Sequence, residues 1–151
     1  MKRLALAAIV GAAALFAPSA LAAQLKAPSC TLLSTSKIAS ILGVPVTSST
    51  VYDVVPNELT CYYATKKNPQ AVTVIFQTQD GYITYLTAKD QAKPFVKNVK
   101  GIGAGAFYDS AADYATEPVF NVLYGNVCMT IDAFAPLKRV EALAKTMTGA
   151  L

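Results

Sequence analysis

Leu59-Thr60-Cys61-Tyr62-Tyr63-Ala64-Thr65 and Ala71-Val72-Thr73-Val74-Ile75-Phe76-Gln77-Thr78-Gln79 are two runs rich in β-branched and aromatic residues, held apart by Lys66-Lys67-Asn68-Pro69-Gln70. The Asn-Pro step and the paired lysines suit a solvated turn, so the three pieces read as an antiparallel hairpin. Side chains alternate between the two faces of a strand. Val72, Val74 and Phe76 therefore share one face and Thr73, Ile75 and Gln77 the other, and the first set is expected to point into the core. In the same way Tyr62 and Tyr63 must face opposite sides.

On the N-terminal side, Ser34-Thr35-Ser36 offers hydroxyls to cap a short helix. Ile38, Ile41 and Leu42 form its apolar face, Gly43 can take the left-handed stop, and Pro45 prevents continuation. Val46 to Val55 reads as an exposed strand, and Pro56-Asn57-Glu58 as the turn after it. On the C-terminal side, Tyr82 to about Gln91 carries Tyr82, Tyr85 and Leu86 at helical spacing, which predicts a second helix lying on the sheet and closed by Pro94. Glu117 to Tyr124 and Val127 to Ala133 form another hairpin around Gly125-Asn126. Pro136 then opens a final helix over Leu137 to Met147, with Val140, Leu143, Ala144 and Met147 as its apolar stripe. The expected fold is α+β: one antiparallel sheet of about five to seven strands, with an N-terminal, a middle and a C-terminal helix packed on one face.

Outside this body, residues 1–22 place Lys2 and Arg3 before an apolar run from Leu4 to Phe16 and end in Ala20-Leu21-Ala22. That is the pattern of a cleaved export signal, with processing expected near Ala22, a flexible lead over 23–29 and a single domain over 30–151. The processed chain carries a net charge of +2 rather than the +4 of the whole sequence. Its lysines are spread among acids instead of gathered in a patch, so a nucleic-acid partner is not expected. No segment after Ala23 is apolar enough to span a membrane, and a periplasmic or secreted monomer is the expectation.

Cysteine in an oxidising compartment pairs by default. Of Cys30, Cys61 and Cys128, the favoured pair is Cys30–Cys61, which would staple the first helix to the sheet. Cys128 then stays as a small buried hydrophobe, with a Cys61–Cys128 bridge or a disulfide-linked dimer as alternatives.

The chain has no histidine, and it lacks a Cys-x-x-Cys pair and a cluster of metal-ligating residues. Thiol exchange, zinc binding and imidazole catalysis lose their usual supports, and no catalytic residue, cofactor or metal is expected. Gly101-Ile102-Gly103-Ala104-Gly105 has the look of a phosphate loop. It leads, however, into Ala106-Phe107-Tyr108, a strand pattern, where phosphate binding needs a helix N-terminus, so a tight turn or bulge is expected. General acid–base chemistry would have to come from Asp53, Asp80, Asp109, Asp113, Glu117 or Asp132 converging in one cleft.

Cys30-Thr31-Leu32-Leu33-Ser34, Ile41-Leu42-Gly43, Cys61-Tyr62-Tyr63, the glycine run through Tyr108 and Ala142-Leu143-Ala144 resemble a class of small exported bacterial lipoprotein-like domains of unknown function. The resemblance implies an α+β domain at the cell envelope, with its first two cysteines paired and no established catalytic residues. Cys30 follows Lys26-Ala27-Pro28-Ser29, which is not a lipidation context, so a freely soluble form is favoured over a lipid-tethered one.

The expected role is contact. Tyrosine joins a large ring to a hydroxyl that tolerates water, and Tyr62, Tyr63, Tyr82, Tyr85 and Tyr108 are the candidate surface for a protein, an envelope polymer or a small apolar ligand. The alternatives are a secreted inhibitor or regulator of a partner enzyme, acting through the loops at Pro56-Asn57-Glu58 or Ser110–Thr116, and a carboxylate-dependent hydrolase.

Overall fold

The structure is a computed structural model that describes residues 27–110 and 118–151. The expected export signal, most of the lead, Asp113 and Glu117 lie outside the described residues. In chain order the elements are α1 (Thr35–Leu42), β1 (Val46–Val55), β2 (Glu58–Thr65), β3 (Val72–Gln77), α2 (Gly81–Gln91), β4 (Val96–Val99), β5 (Gly105–Asp109), β6 (Val119–Tyr124), β7 (Val127–Ala133) and α3 (Leu137–Thr148). The seven strands form one antiparallel sheet in the order β1-β2-β3-β7-β6-β5-β4. Two meanders, β1–β3 and β4–β7, thus meet where β3 pairs with β7, and the expected α+β class holds.

Local chemistry explains the helix ends. The Ser34 side chain accepts the Lys37 N–H at 3.2 Å, and Gly43 takes φ +70° while its N–H closes on the Ala39 carbonyl. α3 begins directly after Pro136, whose fixed φ and missing N–H suit an entry position.

The main core lies between one face of the sheet, called inner here, and the pair α1 and α3. The strands supply Cys61, Tyr63, Val72, Val74, Phe76, Phe120, Val122, Met129 and Ile131; the helices supply Ile38, Leu42, Val140, Leu143, Ala144 and Met147. The hairpin parity therefore holds, with Val72, Val74 and Phe76 inside. Cys30 and Cys61 are bonded, with Cα atoms 5.4 Å apart, and the cross-link ties the approach to α1 to the middle of β2. Cys128 is buried and free. It cannot meet Cys61, because it belongs to the opposite face of the sheet.

That opposite, outer face departs from expectation, since α2 packs there rather than beside α1 and α3. Tyr85 is the anchor, in an edge-on contact with Phe107 at 5.3 Å between ring centroids, and Leu123 and Cys128 complete the buried cluster. Tyr82 and Leu86, expected on this seam, are instead exposed. The reason is the small size of what replaces them. A Cβ on Gly81 would lie 2.2 Å from the Asn126 carbonyl oxygen, so α2 sits directly on the β6–β7 turn, and Ala88 and Ala92 continue the close seam beyond Tyr85. β4 was not anticipated from the sequence: its four residues pair with β5 and form the far edge of the sheet.

Candidate binding surface

α2 covers β6 and β7 from the outer side, and among the described residues no helix packs on β1 and β2 from that side. The strand register builds the floor that is left open. Thr50 of β1 lies opposite Tyr62 of β2, Tyr62 opposite Thr73 of β3, and Thr73 opposite Asp132 of β7. In the neighbouring row Thr60 is opposite Ile75, Ile75 opposite Thr130 and Thr130 opposite Asn121 of β6. Hydroxyls thus flank Tyr62, and an aliphatic side chain, a carboxylate and an amide follow further along the two rows.

Tyr52 enters this surface through an irregularity. The β1–β2 register slips between Val51, opposite Cys61, and Asp53, opposite Thr60, leaving Tyr52 as the extra residue. A bulge re-aims a side chain, and the Tyr52 ring lies against Tyr62 with centroids 4.5 Å apart and planes tilted by 34°. Tyr52 is 65% exposed, while Tyr62 is half-buried, so one ring is presented to solvent on the back of the other.

Toward α2 the floor becomes a groove of about 330 Å3 lined by Ala88, Gln91, Ala92, Asp109, Val119, Asn121 and Thr130. Asn121 is only 5% exposed, and its Oδ1 accepts the Thr130 hydroxyl at 2.8 Å. At the opposite end Glu58 accepts from the Gln77 amide, whose oxygen accepts the Thr84 hydroxyl at 3.3 Å, so β2, β3 and α2 are joined by a polar chain. Asp132 keeps solvent on one side, yet the surrounding strands withdraw enough water to raise its carboxyl above its ordinary value.

The five tyrosines singled out from sequence do not share one surface. Tyr62 is on the open outer face. Tyr63 is fully buried on the inner face and donates its hydroxyl to the Cys30 carbonyl at 3.1 Å; burial raises it to about 12. Tyr63 is thus a core residue, as strand alternation requires once Tyr62 faces out. Tyr85 is buried under α2 and is likewise raised, first by burial and then by the nearby Cys128. Tyr82 is exposed on α2, and Tyr108 is half-buried against the inner core. Tyr52 completes the aromatic pair in their place. Its only sequence signal is the loose alternation of Val46 to Val55, because the bulge depends on pairing with β2.

The glycine run is structural. It bends the chain into β5, with the Ala104 N–H on the Leu123 carbonyl at 2.7 Å, and a Cβ on Gly103 would lie 2.3 Å from that same oxygen. Of the acids, Asp80 precedes α2 in a left-handed conformation, Asp109 ends β5 at the groove, Asp53 lies in the β1 ladder and Asp132 is on the open floor. No three metal-ligating side chains gather among the described residues, and no described helix is long and apolar enough to cross a membrane. The chain matches no protein-family model and no curated protein.

Proposed function

We propose that this is an exported, non-enzymatic binding domain of the bacterial cell envelope, periplasmic or secreted, which holds its ligand on the outer face of β1–β3. The observation that carries the reading is the bulge at Tyr52, which spends ladder regularity to stack an exposed ring on Tyr62 in a field of threonines. Bulges are frequent where a side chain must be re-aimed for function, and a ring of this exposure contributes more to contact than to the core. The Cys30–Cys61 bond supports the export part of the reading, since such bonds persist in oxidising compartments. Chemistry on a ligand is not needed to account for the site.

The test is retention. The processed chain, immobilised and incubated with envelope and culture-medium fractions, is expected to hold a component that the Tyr52→Ala/Tyr62→Ala variant releases. Equal retention by both, or by neither, removes the face from consideration. Thermal unfolding of the variant in parallel shows that it is folded.

A further inference from the structure

Resting on this reading of the outer face, we infer that its ligand is a neutral, polyhydroxylated chain, an oligosaccharide, lying across β1, β2, β3 and β7 from Tyr52 toward Asn121. Charge comes first. The register puts Thr50, Tyr62, Thr73, Ile75, Thr130 and Asp132 on the floor, none of them cationic, and the neighbouring Glu58 adds another carboxylate. Phosphate-bearing or uronic polymers would meet repulsion from these carboxylates, and none of the floor residues is a lysine or arginine to offset it.

Backbone comes second. β2, β3 and β7 lie inside the ladder with their N–H and C=O groups already paired, and a strand added at the free edge of β1 would extend the sheet sideways rather than cover this face. Recognition falls to side chains. Threonine hydroxyls both donate and accept, the Gln91 amide at the groove carries both functions, and Asp132 accepts when ionised; a sugar hydroxyl is also both donor and acceptor and can answer each of them. The Tyr52–Tyr62 pair supplies the remaining element, a ring on which the C–H face of a pyranose can lie.

Size comes third. From β1 to β7 the floor crosses four strands, about 14 Å at the usual ~4.8 Å spacing, which is the reach of an oligosaccharide rather than of one sugar ring. The groove at its far end, walled by Ala88, Gln91 and Ala92, gives the chain a closed side.

The experiment is an NMR titration of the isotopically labelled processed protein with four soluble neutral probes: cellohexaose, chitohexaose, maltohexaose and mannohexaose. At least one is expected to bind with Kd at or below about 1 mM, shifting the amides of Thr50, Tyr62, Thr73, Thr130 and Asn121. Tyr52→Ala and Tyr62→Ala are each expected to weaken that binding by about tenfold. Tyr82→Ala, on the exposed side of α2, leaves it unchanged. Because Tyr52 is largely exposed, its variant keeps the test valid even where Tyr62→Ala perturbs the sheet.

No amide shift with any of the four probes overturns the inference, as do shifts confined to α2 or binding indifferent to both tyrosines. The retention assay separates the two failures. A face-dependent component that is destroyed by protease and carries no sugar sinks the oligosaccharide while leaving the binding face in place; absence of any face-dependent component sinks both.

Discussion

The two faces of the sheet are made by the same strands and have opposite characters. Along β2 and β3 the inner side chains are Cys61, Tyr63, Val72, Val74 and Phe76, all 1% exposed or less, while of the alternate positions Tyr62, Thr73 and Ile75 are half-buried and only Thr60, a hydroxyl rather than a hydrocarbon, is buried. A period of two lets a single strand serve a core and a surface at once. The core needs volume and dryness, and the surface needs hydroxyls and rings in reach of water. Stability and contact should therefore separate by residue parity, and each prediction below attacks that separation.

The largest effect belongs to the inner face. Phe76→Ala removes a fully buried ring between the sheet and α3's side of the molecule and is expected to cost about 3–5 kcal/mol in denaturant unfolding, whereas Ile75→Ala, its neighbour on the outer face, costs about 1 kcal/mol or less. Equal costs would show that the outer face is also structural.

Next is the cross-link. Cys30 and Cys61 are 31 residues apart, and their joint replacement by alanine is expected to destabilise the fold by about 3–4 kcal/mol, chiefly by freeing the unfolded chain. The Tyr63 hydroxyl reaches the Cys30 carbonyl, so loss of the bond also loosens a buried hydrogen bond. Outer-face amides remote from Cys61 in the sheet, those of Thr130 and Asn121, are expected to keep their chemical shifts under native conditions.

The second, smaller core answers to pH. Burial under α2 raises the Cys128 thiol from 9.0 to about 11, with a hydrogen bond to Thr130 opposing part of the rise. Below pH 9 both folded and unfolded thiols are protonated, and nothing is lost. Between pH 9 and pH 11 the unfolded chain releases its proton while the native thiol keeps it, so stability falls by at most about 1.4 kcal/mol per pH unit and levels off above pH 11. Cys128→Ala is expected to flatten this part of the curve, measured as denaturation midpoint against pH. Tyr63, raised to about 12, adds its own loss above pH 10 in both proteins. An unchanged slope in the variant would mean that the thiol is not sealed by α2.

Much of this architecture is legible in the sequence because it rests on local rules. The Ser34 cap, the Gly43 stop, the β2–β3 and β6–β7 hairpins and the α3 stripe follow from turn chemistry and periodicity, and the cysteine pairing from Cys30 standing just before the first helix and Cys61 within a strand. What escaped depends on partners distant in the chain. The orientation of α2 is decided by Gly81 against Asn126. Its sequence offers apolar residues on several sides, so the Tyr82, Tyr85 and Leu86 positions could not indicate which of them would be buried. β4 is short and half polar, and exists through its pairing with β5. For the site, parity shows that Tyr62 and Tyr63 must part, but choosing the outward one needs the Cys61 side to be known. Tyr52 depends on a bulge, and a bulge is a property of two strands.

The smallest expected change in stability, and the sharpest test of the contrast, is at Tyr52. Its ring is mostly in water, so Tyr52→Ala removes an aromatic pair worth about 0.5–1.5 kcal/mol from the sheet's edge and should shift the unfolding midpoint little. Tyr52→Phe keeps the stacked ring and should unfold as the parent does, separating ring contact from hydroxyl contact in the titration. If ligand retention survives in the phenylalanine variant and fails in the alanine one, the bulge positions a ring face. If both lose it, the hydroxyl is the contact. A large loss of stability in Tyr52→Ala would mean that the pair serves to hold β1 on the sheet, and the division of labour between the faces would stop at β2.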